Sequence, residues 1–324
     1  MVDTTKLMTQ KEFYSLRYVD TPETPLPTGY IDYEHLQQNI TDVLQLQGHQ
    51  IFLKNLFNPH TQYKRLLLYH STGTGKTLVI LTIAQMYVEY FKKMRQQPQV
   101  TIIGFTEDIM VKELTKFTDF GYITRAEQEQ LETLRKSRSE KDQLRRRGLR
   151  ATIKRRMTDK SRGGYYQFYG YQKFANDLFL ITAKGVEAKI AYNDIYESDV
   201  DFNNRIDDYV EKGFITVNRA LIESLKYSFI ACDEIHNVYN VKSKNNRGMA
   251  IQYVLDILEA EDPMSSPRVI FASATPLSGS TFEVVDIMNL LIPGSNLSRS
   301  DFFEKNGKMK PDTCLLYTSD AADE

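Results

Sequence analysis

The sequence predicts an α/β fold: a mostly parallel sheet flanked by helices, with a basic, helical insertion. Three observations predict it. Short apolar and β-branched runs alternate with segments of helical periodicity, the pattern of strands crossed over by helices. Three of those runs end in words suited to phosphate or metal chemistry: HSTGTGKT after Leu66–Tyr69, DEIH after Ser228–Cys232, and SAT after Arg268–Phe271. Between about 106 and 213 the alternation breaks and the chain becomes charged.

Composition bounds the answer. A chain of 324 residues holds about two domains. Net charge is −1, so a nucleic-acid or membrane surface, if present, is local rather than global. No run approaches the roughly 18 apolar residues of a membrane span. The start, MVDTTKLMTQKEFY, lacks the apolar centre of a signal peptide, so neither secretion nor a membrane partner is expected. Two cysteines, Cys232 and Cys314, are too few for a disulfide framework and suit a reducing compartment.

Taken in order, residues 1–48 are read as an N-terminal extension. Thr21–Pro27 is extended and turn-rich, because each proline pushes its predecessor out of the helical region. Leu36, Ile40, Val43 and Leu44 keep helical spacing, as do Ile51, Leu53, Leu56 and Phe57 before Asn58–Pro59 ends that run. A strand over Leu66–Tyr69 then meets the glycine-rich turn, and a helix opens at Gly75–Lys76–Thr77 and stops before Pro98. Val100–Phe105 reads as a buried parallel strand. Residues 106–213 are read as the insertion, with the acidic, Asn-rich YESDVDFNNRIDDYVE as a loop. Strands return at Phe214–Val217, Ser228–Cys232 and Arg268–Phe271, with an amphipathic helix over 247–260. Thr281 caps a last helix that runs to Pro293.

The glycine-rich turn carries the first chemistry. Strand, loop and helix in that order are what a phosphate-binding loop needs. Thr72, Gly73, Thr74, Gly75, Lys76 and Thr77 are its candidate nucleotide-binding residues. The glycines let backbone N–H groups turn inward, and the helix N-terminus adds partial positive charge. Lys76 reaches the β- and γ-phosphates, and the Thr77 hydroxyl is a magnesium ligand. His70 stands where the full G-x-x-x-x-G-K-S/T pattern has a glycine.

The second element, FIACDEIHNVYN, delivers two carboxylates at the C-terminal end of a buried strand, where α/β sheets place ligands. Asp233 is assigned to Mg²⁺, a hard cation that prefers oxygen, and Glu234 to the water that attacks the γ-phosphate. His236 is read as a coupling residue; no Cys or second His stands at ligand spacing beside it. Ser273 and Thr275 of the third element are two hydroxyls placed to link the acidic motif to a nucleic-acid surface. Alone, Ser-Ala-Thr before proline is also an ordinary turn. Its force comes from order and position.

The set G-T-G-K-T, D-E-x-H and S-A-T resembles motifs I, II and III of the superfamily 2 helicases and translocases, over about residues 45–293. The resemblance implies a RecA-like P-loop domain that uses ATP and Mg²⁺, with Lys76, Asp233 and Glu234 catalytic. Helicase-type loops of this kind relax the position held by His70. In that family a glutamine upstream of motif I reads the adenine. Gln50 stands in that region, and a helix-surface glutamine is the competing reading. The words YKRLLLYHSTGTGKT, FYGYQKFANDLF, ACDEIHNVYN, NNRGMAIQYVLD and SATPLSGSTFEVVDIMNLLIPG are similar to the helicase-like ATPases of nucleocytoplasmic large DNA viruses. These are the group of the poxvirus early transcription factor small subunit and nucleoside triphosphatase I. That likeness implies work in viral transcription, in the virion and the cytoplasmic viral factory. Implied partners are nucleic acid, DNA ahead of RNA, and a viral RNA polymerase or factor subunit. A promoter-binding or polymerase-docking subunit with little turnover, and a repair or remodelling translocase, are the alternatives.

The resemblance also sets the expected domains: 49–293 as the first RecA-like domain with the insertion at about 106–213, and 294–313 as the start of a linker to a second domain that this sequence lacks. The missing half would supply arginine fingers, so this stretch alone is expected to turn over little ATP. Residues 314–324, CLLYTSDAADE, match one translated frame of a common sequencing adapter and are read as a scar rather than protein.

Between Arg135 and Arg162 stand thirteen Lys or Arg against three acids. Arg145, Arg146, Arg147, Arg150, Lys154, Arg155 and Arg156 are candidate phosphate contacts. A solvated helix with a sparse stripe of Leu131, Leu134, Leu144 and Leu149 is the equal alternative, and docking of a polymerase or factor subunit is a third. The aromatics Tyr165, Tyr166, Phe168, Tyr169, Tyr171 and Phe174 are read as core ahead of a base-stacking platform.

Overall fold

The computed structural model describes residues 46–70, 75–96, 98–104, 107–137, 139–196, 202–238, 247–275, 283–295, 297–304, 308 and 310. The proline-rich entry, Thr72, Gly73, Thr74, the Thr281 cap and the 314–324 tail lie outside them. The chain divides into two compact units, 1–63 with 77–95 and 108–165, and 64–76 with 96–107 and 166–324.

The principal elements begin with α1 (Gly48–Leu56), β1 (Arg65–Tyr69), α2 (Lys76–Lys93), β2 (Val100–Gly104), α3 (Glu107–Leu114), α4 (Arg125–Lys136) and α5 (Glu140–Thr158). They continue with β3 (Tyr166–Gly170), α6 (Tyr171–Leu178), β4 (Phe179–Ile181), α7 (Phe202–Glu211), β5 (Ile215–Val217) and β6 (Phe229–Asp233). Last come α8 (Gly248–Glu261), β7 (Arg268–Ser273) and α9 (Glu283–Leu291).

The unit containing 166–324 is built on a five-stranded sheet in the order β1-β7-β6-β2-β3, with every pairing parallel. Both faces of the central strands are covered, and all five residues of β2 and of β6 are buried. Strands covered on both faces read as continuous apolar runs, which is why FIAC and VTII carry no polar alternation. Ile230, Cys232, Val269 and Phe271 share a core with Phe174 and Leu178 of α6 and with Ile251, Val254, Leu255 and Leu258 of α8. The α8 set repeats at i, i+3, i+4 and i+7, one face of a helix. Arg65, at the start of β1, is buried and donates to the Leu290 carbonyl of α9 at 2.9 Å. The result is an α/β, RecA-like arrangement of a parallel sheet flanked by helices.

Three local readings change. Tyr166–Gly170, inside the stretch read as an insertion, is an edge strand of the main sheet, in register with β2 from Val100↔Tyr166 to Gly104↔Gly170. Tyr166, Phe168, Tyr169, Tyr171 and Phe174 are accordingly buried. The Asn-rich stretch read as a loop contains α7, because Phe202 and Ile206, four residues apart, both sink into the core. The Phe202 ring meets Phe179 edge-on at 5.9 Å. Ile215–Val217 is a strand, but it pairs antiparallel with Phe179–Ile181 in a separate two-stranded sheet.

The other unit holds α3, α4 and α5. Thr124 caps α4 through a reciprocal pair: the Glu127 N–H donates to Thr124 Oγ1 at 3.3 Å, and the Thr124 N–H to Glu127 Oε2 at 3.0 Å. Arg156 of α5 closes a two-point bond on the same carboxylate at 2.8 and 2.6 Å, joining α5 to the start of α4. That guanidinium holds the Glu127 carboxyl down at about 2. α5 begins with Glu140 and Asp142 and ends with Arg155 and Arg156, a charge order that suits the helix dipole.

Candidate active site

β1, β7 and β6 are neighbours in the sheet and run parallel, so their C-terminal ends lie side by side. Tyr69 is opposite Ser273, and Asp233 is opposite Ala272. Three chemistry-bearing segments that are far apart in sequence thus meet at one sheet edge, where open α/β sheets bind ligands.

α2 is entered through Gly75, whose φ of 79° lies in the left-handed region. A side chain there would strain the turn, which accounts for the glycine. Lys76, the first residue of α2, is 8% exposed. Its Nζ donates to the His70 carbonyl at 3.1 Å and stands 3.6 Å from Glu234 Oε1. His70, which breaks the full glycine pattern, thereby holds the lysine in place. The His70 N–H in turn donates to the Ser273 carbonyl at 3.2 Å, continuing the β1–β7 ladder past the strand end.

At the end of β6, the Glu234 N–H donates to Asp233 Oδ1 at 3.1 Å. Glu234 has φ 54°, a conformation that costs a non-glycine residue about 1 kcal/mol or more and is concentrated at functional sites. The Tyr171 hydroxyl, the first side chain of α6, donates to the Asp233 carbonyl at 2.7 Å in a buried bond. His236 Nδ1 lies 2.8 Å from Ser273 Oγ and 3.3 Å from Glu234 Oε2. Ser273 is fully buried, and its hydroxyl accepts the Thr275 N–H at 3.0 Å.

Burial pushes the Asp233 carboxyl up to about 6, and the Glu234 charge pushes the same way; Lys76 and the Glu234 N–H pull against them. A buried carboxylate held up by desolvation, with a second carboxylate beside it, fits a divalent cation. The described His, Cys, Asp and Glu residues form no cage of three or more ligands. A magnesium ion would therefore take most of its shell from phosphate and water, as this hard, hydrated ion prefers.

Of the residues singled out in the sequence, Lys76, Asp233, Glu234, His236, Ser273 and Thr275 come together in this way. Thr77 is the second residue of α2 and falls in the other unit. Gln50 is buried in α1 rather than on its surface, and its side-chain oxygen accepts the Gln47 N–H at 3.0 Å. The seven cations of α5 do not form one patch. Arg156 is committed to Glu127 and is withdrawn from the set; Arg145 pairs with Asp142 at 3.6 Å. Arg147 and Arg155 are exposed, while Arg146, Arg150 and Lys154, spaced by four, share a half-buried stripe. Tyr171 and His70 are the site residues that sequence reasoning missed as contacts. The His70 contact is made by its backbone carbonyl, which no residue identity signals, and nothing in FYGYQKF marks which hydroxyl reaches Asp233. No described helix is long and apolar enough to cross a membrane.

A family model described as the type III restriction enzyme, res subunit, matches residues 33–277. The early transcription factor large subunit homologue of African swine fever virus is 37% identical over 301 residues, covering 84% of this chain and 27% of the relative. A protein of Acanthamoeba polyphaga mimivirus named for an ATP-dependent RNA helicase is 24% identical over 295 residues, covering 88% of this chain and 23% of the relative. A protein of Frog virus 3 named for a helicase is 23% identical over 277 residues, 82% of this chain and 22% of the relative. The chain spans about a quarter of the length of these relatives. They belong to the large DNA viruses to which the motif words point; the African swine fever virus protein bears the large subunit's name, where the motif words were likened to the small subunit.

Proposed function

The chain belongs to the family described as the type III restriction enzyme res subunit, among the helicase-like ATPases of superfamily 2, and from that membership we propose that it is the ATP-binding part of a nucleic-acid-dependent ATPase acting in viral transcription. The observation that carries the reading is the convergence of Lys76, Glu234, His236 and Ser273 at the ends of three adjacent strands.

The geometry suggests how the residues work. Lys76 is held by a carbonyl and faced by a carboxylate, so an incoming triphosphate offers its ammonium stronger oxygen partners. Moving to the phosphate also frees Glu234. Released from the lysine, Glu234 is placed to orient the attacking water and accept its proton. His236 touches both Glu234 and Ser273, so a shift of the carboxylate is felt at β7. Asp233 would hold Mg²⁺, which neutralises phosphate charge when bound. Tyr171 fixes the peptide that carries Asp233 and Glu234.

In this reading 49–293 acts as the first motor domain, and 294–313 leads toward its partner. Nucleic acid is the stimulating ligand, with DNA ahead of RNA, and the cytoplasmic viral factory is the place of action. Arg146, Arg147, Arg150, Lys154 and Arg155 remain the candidate phosphate contacts on α5. The names of the African swine fever virus relatives favour a role in early transcription.

The test is ATP hydrolysis by the full-length protein with and without duplex and single-stranded DNA and RNA. Stimulated turnover that Lys76→Ala abolishes is expected. Turnover retained in that variant would remove this loop from the mechanism.

A further inference from the structure

The unit that holds α3, α4 and α5 contains a cavity of about 240 Å³. Its apolar lining is aliphatic: Val111 of α3, Leu131 of α4 and Ile153 of α5. Lys112, Arg150 and Lys154 line it as well, and no acid or aromatic side chain is among its described lining residues.

Five acids of this unit are already engaged. Glu113 pairs with Lys116, Glu127 with Arg156, Glu129 with Arg125, Glu132 with Arg135, and Asp142 with Arg145. Lys112 and Arg150 have no such ion pair among the described residues. Lys112 and Arg150, without an ion pair among the described residues and beside an apolar hollow, call for a ligand that brings negative charge and an aliphatic group together. A nucleic-acid strand brings the charge, but its bases bind by stacking on aromatic rings, and this lining offers none. A peptide segment with Leu, Ile or Val beside Asp or Glu supplies both.

We infer that this cavity is a docking site for an acidic, aliphatic segment of a partner protein, independent of the nucleotide reading. The aliphatic side chain fills the hollow against Val111 and Ile153. The carboxylates meet Lys112 and Arg150 at its rim.

The test uses the whole chain and a fluorescein-labelled helical peptide of roughly 16 residues with leucines on one face flanked by glutamates. Anisotropy is measured at several salt concentrations, with a labelled oligodeoxythymidine as the second probe. Ala151 lines the cavity and is exposed, so Ala151→Trp is chosen to fill the space without changing the charge. Saturable peptide binding that Ala151→Trp weakens at least ~tenfold is expected. Arg150→Glu should weaken it too and flatten its salt dependence. Oligonucleotide binding should be unchanged by Ala151→Trp. Thermal melts establish that both variants fold. Absence of saturable peptide binding, or equal binding by Ala151→Trp, overturns the inference. So does an oligonucleotide that displaces the peptide and is itself excluded by Ala151→Trp, which would assign the cavity to nucleic acid.

Discussion

His236 Nδ1 stands 2.8 Å from the hydroxyl of Ser273, a side-chain bond between the segment after β6 and the end of β7. The same ring nitrogen is 3.3 Å from Glu234. A carboxylate proposed to act on water is therefore one side chain away from the neighbouring strand. Removing the hydroxyl in Ser273→Ala should lower the nucleic-acid-stimulated ATPase rate of the full-length protein more than the unstimulated rate, by about tenfold, the scale of a coupling free energy. Equal losses in the two rates would mean that the bond only supports the fold.

Asp233 gives a pH signature. Its folded-state pKa is raised to about 6 from 3.8, chiefly by burial. The stability it contributes is full below the unfolded value and is lost as pH rises through about 6, so at pH 8 the folded protein carries the whole cost of the buried charge. Asp233→Asn should be more stable than wild type at pH 8 without magnesium, by up to about 3 kcal/mol, with the gap closing near pH 4. Urea melts at the two pH values check it. A pH-independent difference would mean that the carboxyl is not desolvated.

Tyr171 supplies a buried donor to the Asp233 carbonyl. Tyr171→Phe keeps the ring and removes the hydroxyl, at a cost of about 1–3 kcal/mol for the carbonyl left without that donor. The urea midpoint should fall with the denaturant slope unchanged. An unchanged midpoint would show that the bond contributes nothing.

Arg156 should behave as a structural residue. Its pair with Glu127 joins α5 to the α4 cap, and its side chain is 40% exposed, so solvent screening limits the contribution. Arg156→Ala should cost about 1 kcal/mol in a urea melt. Because the Glu127 carboxyl is held at about 2, the stabilisation is present above its ordinary value of 4.5 and lost as pH falls toward 2. A variant that loses nucleic-acid affinity with unchanged stability would return Arg156 to the binding surface.

The sheet was legible because buried parallel strands are short continuous apolar runs, and β1, β2, β6 and β7 all read that way. The motif residues were legible because each follows one of those runs. α7 was hidden because Asn and Asp dominate its composition, and two buried residues, Phe202 and Ile206, suffice to hold it. β3 was hidden because YQFYG joins a cluster of aromatics in which strand and helix positions look alike. The pairing of Arg156 with Glu127, 29 positions away, is tertiary, and a run of like charges does not reveal which member is already neutralised. The Lys76 contact is to the backbone carbonyl of His70, so the identity of residue 70 does not reveal it.

The central claim is that Lys76 and Glu234, 3.6 Å apart, act on one phosphate. The most direct measurement is ATP affinity alongside single-turnover hydrolysis in the full-length protein carrying Glu234→Gln. Affinity within about threefold of wild type and hydrolysis slower by roughly 10²–10⁴-fold, the scale of a lost general base, are expected. Hydrolysis at close to the wild-type rate would contradict it.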